Sequence, residues 1–293
     1  MHAELQQLGR LLRTLYNEDD YFIIHIDRRA KSSTLIGVSH LVESLKNVSV
    51  ISTRTCSWGG VSLVDATLDM MALGLRLHPV WSHAVILSAT HLPVQTAEQI
   101  RRWAPAGKSI LSWDRISGAD CPKWLAGTYD RIEWEYVEIP GAGMRKADKL
   151  GPVEFSYFKG SQWCTIARPH VEFVVENMHS AIATRLRKSN MADEAFFQTM
   201  LLNSPHAASC AQGDSTAAKW VSGASRPAML SLDELTEMSK TTKKPFIRKV
   251  AENLGDEQLA GIFFEALRKE KFHKRMEENC RSAETAGLYR LSS

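Results

Sequence analysis

Three short apolar runs separated by helical segments constrain the fold of this chain more than any other feature. The runs lie at residues 21–26, 48–51 and 84–88, and each is predicted as a strand; the first has the continuous apolar character of a buried parallel strand. Between the runs, apolar residues recur at helical spacing. Strands that alternate with helices form right-handed βαβ units, so the sequence predicts an α/β fold with a mostly parallel central sheet flanked by helices.

In such a sheet, ligands bind beyond the carboxyl ends of the strands. Asp27, Trp58 and the loop at residues 89–93 each fall at one of these predicted ends. Their spacing is compatible with a nucleotide site. Asp27 is also compatible with an ordinary turn residue at a strand end, and Trp58 with packing at the start of a helix, which is the interpretation we favour for Trp58.

The second half of the chain has a different pattern. Strands are predicted at residues 132–138 and 163–166, and a helix with proline in its first turn at 169–187. Residues 140–151 are predicted as a basic loop, and residues 203–231, rich in Ser, Ala and Gly, as a long one. A loop of that length inside a compact domain is usually functional or disordered.

Composition excludes several classes of protein. With 44% hydrophobic residues and a net charge of +3, the chain has the material for a core and suits an anionic ligand. No Lys/Arg run is long enough for a nucleic-acid arm, and the five cysteines form no CxxC pair of the kind found in zinc sites. No apolar run approaches ~18 residues. We therefore expect a cytoplasmic protein, at most peripheral to a membrane, with no nucleic-acid partner.

Two adjacent acids, Asp193 and Glu194, precede an apolar run at residues 196–201. Acids at a helix N-terminus accept hydrogen bonds from free backbone N–H groups, and such a cap is worth about 1 kcal/mol. A carboxylate that projects into a cleft is instead a candidate general base. This segment alone leaves both interpretations open.

Five motifs in order resemble a known family. Residues 21–29 look like a strand ending in His-x-Asp-x-Lys/Arg, residues 57–66 like Trp-Gly-x-x-Ser opening a helix, and residues 86–96 like Leu-Ser-Gly-x-Asp-x-Pro-x-x-Thr. Residues 159–168 and 193–199 look like the family's Gly-Ser-x-Trp and Asp-Glu motifs. From about residue 2 to about residue 250, the chain resembles the core-2/I-branching β-1,6-N-acetylglucosaminyltransferase and peptide O-xylosyltransferase family.

The resemblance implies a GT-A-like nucleotide-diphospho-sugar transferase fold over residues 1–255, with residues 256–293 as a helical tail that packs on it. It also implies an inverting transferase that moves N-acetylglucosamine or xylose from a UDP-sugar to a glycan or other hydroxylated acceptor. The UDP-sugar is a co-substrate, and no metal or other cofactor is expected. GT-A enzymes usually hold Mn²⁺ through Asp-x-Asp, and no two aspartates here are spaced in that way.

Site residues follow from the same resemblance. Glu194 takes the place of the general base, with Asp193 as its capping or orienting neighbour. The residues expected at the UDP-sugar are Lys249, Arg248, Arg226 and Asp27, and those expected at the acceptor are Trp220 and Asp114. Each retains an ordinary alternative, since cations are usually solvated and tryptophans usually belong to the core.

Two departures from the family pattern weaken the comparison. The family's first strand has no counterpart before the segment matched by residues 2–12, and Ala89 and His91 stand where the pattern has Gly and Asp. They motivate an alternative, a non-catalytic carbohydrate- or nucleotide-binding relative. A dehydrogenase is disfavoured because no GxGxxG follows a predicted strand.

Overall fold

The computed structural model describes residues 5–117, 127–139, 143–224, 226–251 and 253–263. The chain forms two compact units that are interleaved in sequence. Unit 1 comprises Met1–Ser52, Leu87–Trp103 and Ser215–Ser293, and unit 2 comprises Thr53–Ile86 and Ala104–Asp214. The prediction of one domain over residues 1–255 with a separate tail stays a prediction.

The described elements alternate between helix and strand, as an α/β chain should. The helices are α1 (Leu5–Leu15), α2 (Ser32–Val42), α3 (Val61–Leu77), α4 (Ala97–Trp103), α5 (Asp130–Glu133), α6 (Arg168–Glu176), α7 (Ala181–Leu186), α8 (Phe196–Leu202), α9 (Leu232–Thr241) and α10 (Asp256–Phe263). The strands are β1 (Phe22–His25), β2 (Val48–Ile51), β3 (His83–Val85), β4 (Leu92–Pro93), β5 (Ser109–Leu111), β6 (Asp114–Ile116), β7 (Trp134–Ile139), β8 (Gly143–Lys149), β9 (Tyr157–Lys159), β10 (Thr165–Ala167), β11 (Cys210–Gln212), β12 (Thr216–Ala218) and β13 (Phe246–Arg248). No helix in these ranges is long and apolar enough to cross a membrane.

Unit 1 is built around two small sheets. Strands β1 and β2 pair in parallel, as their apolar runs predict, and a core that includes Leu8, Ile26 and Leu41 packs against them. The second sheet has the order β12-β13-β4 and covers a separate core around Leu230 and Ile247. Strand β13 therefore lies in the centre of its sheet, hydrogen-bonded on both sides.

Helix α1 is tied to the C-terminal part of unit 1 by buried polar contacts. The Arg10 side chain is 5% exposed; its Nε lies 2.6 Å from Asp256 Oδ1, and its Nη2 donates to the Leu254 carbonyl. Arg13 pairs with the other oxygen of the same carboxylate. The start of the predicted tail thus packs on the unit through α10, whereas residues 264–293 of that tail lie outside the described residues.

Unit 2 contains a mixed sheet of order β11-β5-β10-β3 and two antiparallel pairs, β6–β9 and β7–β8. Its core is the largest of the described clusters and is centred on aromatic and aliphatic side chains that are almost fully buried, among them Phe196, Phe197, Ile166 and Leu186. Helix α8 supplies much of this core. The apolar run after the acid pair is therefore anchored in the interior of unit 2.

Several predictions from the sequence need correction. The sheet is not mostly parallel, because three of the eight described strand pairs are parallel and five are antiparallel. Part of the predicted basic loop is strand β8, whose polar side chains hide its pairing with β7. The helix predicted at residues 169–187 is divided at residues 177–180 into α6 and α7, and the predicted loop at 203–231 contains β11 and β12.

A buried polar network surrounds His170 in unit 2. Its Nδ1 lies 2.6 Å from Ser109 Oγ, and its Nε2 lies 2.9 Å from Ser209 Oγ. Because Ser209 Oγ donates its hydrogen to the His206 carbonyl at 2.8 Å, it accepts from Nε2, and the Nδ1 of a neutral ring then accepts the hydrogen of Ser109 Oγ. This arrangement assigns a neutral ring with its proton on Nε2, and a second proton on Nδ1 would remove the acceptor that Ser109 uses.

We predict that this network makes the fold sensitive to acid. Burial, together with the neighbouring His206 and His83, lowers the pKa of His170 to about 4, from an ordinary 6.5. Between pH 6.5 and pH 4, therefore, His170 is protonated in the unfolded chain but not in the folded chain. The free energy of unfolding falls as the pH drops through this range, by up to about 1.4 kcal/mol per pH unit. In urea unfolding at pH 7 and pH 5, His170→Asn should lose less stability on acidification than the parent. Equal losses would contradict this account.

Candidate active site

The acid pair lies in a tight turn rather than at the start of a helix. Asp193 and Glu194 belong to a 3₁₀ turn, Ala192–Glu194, and α8 begins only at Phe196. The N-cap of α8 is Ala195, whose methyl group accepts no hydrogen bond. The interpretation of the acids as caps of this helix is therefore wrong, because Asp193 and Glu194 precede the cap position and no side chain caps the helix.

Two cations hold one oxygen of Glu194. Glu194 Oε2 lies 2.9 Å from Arg131 Nη1 and 3.4 Å from Lys159 Nζ, and the Glu194 side chain is 25% exposed. Among the residues that the structure describes, none donates a hydrogen bond to Oε1. The carboxylate is thus oriented through one oxygen while its second oxygen retains its lone pairs. This is the arrangement that a positioned proton acceptor requires.

The strand that carries Lys159 brings a further predicted residue to this site. Strand β9 pairs with β6, and Asp114 lies directly opposite Lys159 in the ladder. Asp114, expected at the acceptor, is therefore on the strand next to a cation that contacts Glu194. Arg131 had no signal in the sequence, because it is 63 positions away from Glu194 in the chain.

The glycine of the Gly-Ser-x-Trp motif, Gly160, stands where the neighbouring backbone leaves no room for a side chain. A Cβ atom on this residue would lie 1.7 Å from the carbonyl oxygen of Ser112, a distance that no side chain tolerates. The Gly160 N–H donates to the Glu194 carbonyl at 2.6 Å, and Gln198 Nε2 donates to the Ser161 carbonyl at 2.7 Å. The motif therefore packs the backbone of the acid turn against a neighbouring strand.

Asp193 and Glu194 are neighbours with opposite environments. Asp193 is 7% exposed, and within the described part of the chain its buried Oδ1 has no hydrogen-bond partner. Burial first, and then the charge of Glu194, raise the pKa of Asp193 to about 7. A carboxyl group of this kind is an unsuitable solvent-facing base, so the geometry selects Glu194 of the two.

A glycine-rich turn contacts the acid turn from α3. The Met191 N–H donates to the Gly59 carbonyl at 2.8 Å, and the Glu194 N–H donates to the Met191 carbonyl at 3.0 Å. Trp58, next to Gly59, is 56% exposed. The interpretation that Trp58 packs the start of the helix stays a prediction, because this exposure leaves the rest of the residue in contact with its surroundings.

In unit 1, Asp27 is engaged by its own turn. It is 1% exposed, and Arg29 donates to it from its backbone N–H at 2.8 Å and from its guanidinium at 3.0 Å. These contacts are those of a residue that closes a turn after a strand, the alternative that the sequence left open. A contact between Asp27 and a nucleotide stays a prediction.

The basic segment of unit 1 has a fixed backbone. Arg248 ends the central strand β13, and the carbonyl of the next residue, Lys249, accepts the Leu230 N–H at 2.9 Å. The following residue, Val250, donates to the Thr90 carbonyl at 3.1 Å and accepts a hydrogen bond from Gln7 Nε2 at 2.9 Å. Both cationic side chains therefore extend from an immobilised chain segment.

The two remaining predicted residues, Arg226 and Trp220, are both exposed, Trp220 by 61%. A core role for Trp220 is thereby excluded. His91, at the position where the family pattern has Asp, is buried beside Ser88, whose N–H donates to its Nδ1 at 3.0 Å. Burial, and secondarily the charge of Arg248, lower the pKa of His91 well below its ordinary value, so the ring is neutral.

Comparison with known proteins adds an independent finding. A family model described as Core-2/I-Branching enzyme matches residues 1–242. Xylosyltransferase 2 of Mus musculus is 28% identical over 223 residues, which cover 74% of this chain and 25% of that protein. Xylosyltransferase oxt of Drosophila pseudoobscura pseudoobscura is 25% identical over 208 residues, 69% of this chain and 23% of that protein. The chain spans about a quarter of the length of these relatives.

We predict that Gly160→Ala disrupts the acid turn. The new methyl group must displace the Ser112 backbone, and overpacking of this kind costs about 1–3 kcal/mol of folding free energy. Urea unfolding measures the loss. Gly151→Ala is the matched control, since a Cβ there meets nothing within 4 Å. Equal stability of the two variants would show that the motif glycine is not required for packing.

Proposed function

Because the family model matches residues 1–242, the chain belongs to the Core-2/I-Branching enzyme family, and we propose that it is an inverting glycosyltransferase. In this proposal it moves a sugar from a UDP-sugar to an acceptor hydroxyl. The relatives named above are xylosyltransferases, which favours xylose over N-acetylglucosamine as the sugar. A GT-A-like arrangement of the fold is part of the same proposal.

The observation that carries the proposal is the one-sided contact of Glu194. Arg131 and Lys159 engage Oε2, and Oε1 retains its capacity to accept a proton. An acceptor hydroxyl that donates to Oε1 would lose its proton to Glu194 as its oxygen attacks the anomeric carbon of the sugar. General-base assistance of this kind contributes about 10²- to 10⁴-fold in rate.

In the proposed sugar transfer, one bond forms at the anomeric carbon and one bond breaks. The new bond joins the acceptor oxygen to the anomeric carbon, and the bond from that carbon to the phosphate oxygen breaks with its electron pair on UDP. The proton of the hydroxyl remains on Glu194. Since the attack and the departure occur on opposite faces, a UDP-α-sugar gives a β linkage. The acceptor is a glycan or another hydroxylated molecule.

We assign the stabilisation of negative charge on the departing diphosphate to the cations that the family resemblance places at the UDP-sugar. Lys249 and Arg248 extend from the immobilised segment described above, and Arg226 is an exposed cation upstream of helix α9. Preorganised cations stabilise a developing oxyanion because they need not reorient during the reaction. The sequence has no Asp-x-Asp pair of the kind that holds Mn²⁺ in other GT-A enzymes, so we propose turnover without a metal.

A non-catalytic relative that binds carbohydrate or nucleotide is the second candidate. It is motivated by the neutral, buried His91 at a position where the family pattern has an acid. The two candidates differ in one product. Release of UDP from a UDP-sugar in the presence of an acceptor supports the transferase, and its absence with a panel of donors and acceptors supports the binding protein.

We predict that Glu194→Gln lowers sugar transfer by about 10²- to 10⁴-fold while UDP binding changes less than about twofold. The amide keeps the size of the side chain and cannot take up the hydroxyl proton. Glu172→Gln is the matched control, because among the described residues Glu172 pairs only with Arg168, one helical turn away on α6. Radiolabelled sugar transfer and calorimetric UDP binding are the measurements. Full turnover in the Glu194 variant would remove this residue from the mechanism.

We predict that transfer survives an excess of EDTA and that Lys249→Ala lowers kcat/KM by about 100-fold. The control is Lys243→Ala, which removes an exposed cation outside the segment that follows β13. Initial rates with and without the chelator, for the parent and both variants, test the two statements together. A strict requirement for Mn²⁺ would contradict the assignment of the diphosphate to side-chain cations.

A further inference from the structure

Glu138 of β7 supplies the N-terminus of α3 with an acid that the helix itself lacks. Helix α3 has Gly60 as its N-cap and no acid in its first turn. Glu138 Oε2 accepts the Ser62 N–H at 3.0 Å, and Oε1 accepts the Ser62 hydroxyl at 2.5 Å. A carboxylate at this place satisfies a free N–H and interacts favourably with the helix dipole. Both oxygens of a residue distant in sequence are thereby committed to one helix start.

The same carboxylate is packed against the turn that precedes α3. A Cβ on Gly60 would lie 2.4 Å from Glu138 Oε2, so the two residues are in direct contact. Ser62 Oγ, held by Glu138, also accepts the Ser57 N–H at 2.9 Å. Gly59 has a φ of +73°, a conformation that other residues rarely adopt. The backbone conformation of the turn at residues 57–60 is therefore restricted, and Glu138, which lies on β7, helps to hold it.

The turn at residues 57–60 is hydrogen-bonded to the turn that carries Glu194. Gly59 accepts the Met191 N–H at 2.8 Å, and Met191 accepts the Glu194 N–H at 3.0 Å. Met191 itself has a φ of 55°, in the left-handed region that a non-glycine residue enters only when its surroundings hold it there. A Cβ on Gly59 would lie 2.8 Å from Met191 Sδ, which shows how closely the two turns fit.

We infer that Glu138 is a positioning residue for Glu194, which acts through the glycine-rich turn and Met191. The inference rests on the proposed function of Glu194 as the base. All the contacts that carry it lie within unit 2 and form a continuous series of hydrogen bonds and packed atoms. Because a displacement of about 1 Å can cost roughly 100-fold in rate, a residue that never touches the substrate can control the reaction through this series.

Glu138→Gln tests the inference with little change in size. Its amide oxygen can still accept the Ser62 N–H, but its NH₂ group can only donate to the Ser62 hydroxyl, so the contact at 2.5 Å must reverse its direction. The negative charge at the start of α3 is also removed. We expect kcat for sugar transfer to fall about 10-fold, with KM for the UDP-sugar within about twofold of the parent. The control is Glu135→Gln on the same strand, which loses the ion pair with Lys188 and should leave kcat unchanged.

A double-mutant cycle distinguishes positioning from a purely structural role. If Glu138 acts through Glu194, then Glu138→Gln should lower the residual rate of the Glu194→Gln variant by less than about twofold. An equal fold-loss in both backgrounds, or a lower melting temperature with kcat unchanged, would overturn the inference. Full activity of Glu194→Gln alone would instead refute the proposed function, so the two failures are separable.

Ser62→Ala is the second variant, for use if Glu138→Gln does not fold. It removes the hydroxyl that Glu138 Oε1 accepts and leaves the carboxylate and the Ser62 N–H in place. We expect the same pattern with a smaller loss, about threefold to fivefold in kcat, and no further loss in the Glu194→Gln background. Unchanged kcat in Ser62→Ala would count against the role of this helix start.

Discussion

The contact between Gly59 and Met191 is the interaction on which the candidate site depends. It joins the turn before α3 to the turn that carries Glu194, and both partners adopt positive φ values to make it. The Met191 conformation would not persist in an isolated segment, because its Cβ makes the left-handed region costly, whereas Gly59 enters that region without this cost. The core beneath, formed by Phe196 and Phe197, anchors the following helix and supplies the free energy that holds this arrangement.

The acid turn shows how two adjacent carboxylates acquire different properties. The left-handed residue before the turn directs Asp193 into unit 2 and leaves Glu194 partly exposed. Burial raises the pKa of Asp193 to about 7, whereas two cations compensate the charge of Glu194. Successive residues of a 3₁₀ turn are rotated by about 120°, so the two adjacent carboxylates extend to different sides of the turn. The irregular backbone therefore creates the asymmetry that an acid–base site needs.

The sequence predicted those features that depend on neighbours in the chain. Apolar runs located β1 and β2, and the acid pair and the Gly-Ser-x-Trp motif located the backbone around Glu194. It did not predict Arg131 or Glu138, because the contacts of both residues span more than sixty positions. It also missed β8, since a polar strand is specified by its backbone pairing and by Lys146 over the Trp134 ring, not by apolar alternation. Contacts between residues far apart in the chain produce no periodic pattern in the sequence.

The departure at His91 has a physical consequence for the basic segment of unit 1. A carboxylate at this position would offset part of the charge of Arg248, whereas the buried neutral imidazole does not. A diphosphate carries more than one negative charge, and partly dehydrated cations bind it most strongly when no acid competes for them. The loss of an acid beside Arg248 therefore favours anion binding by this segment. The same substitution that first argued for a loss of function is thus consistent with a donor site that relies on side-chain cations.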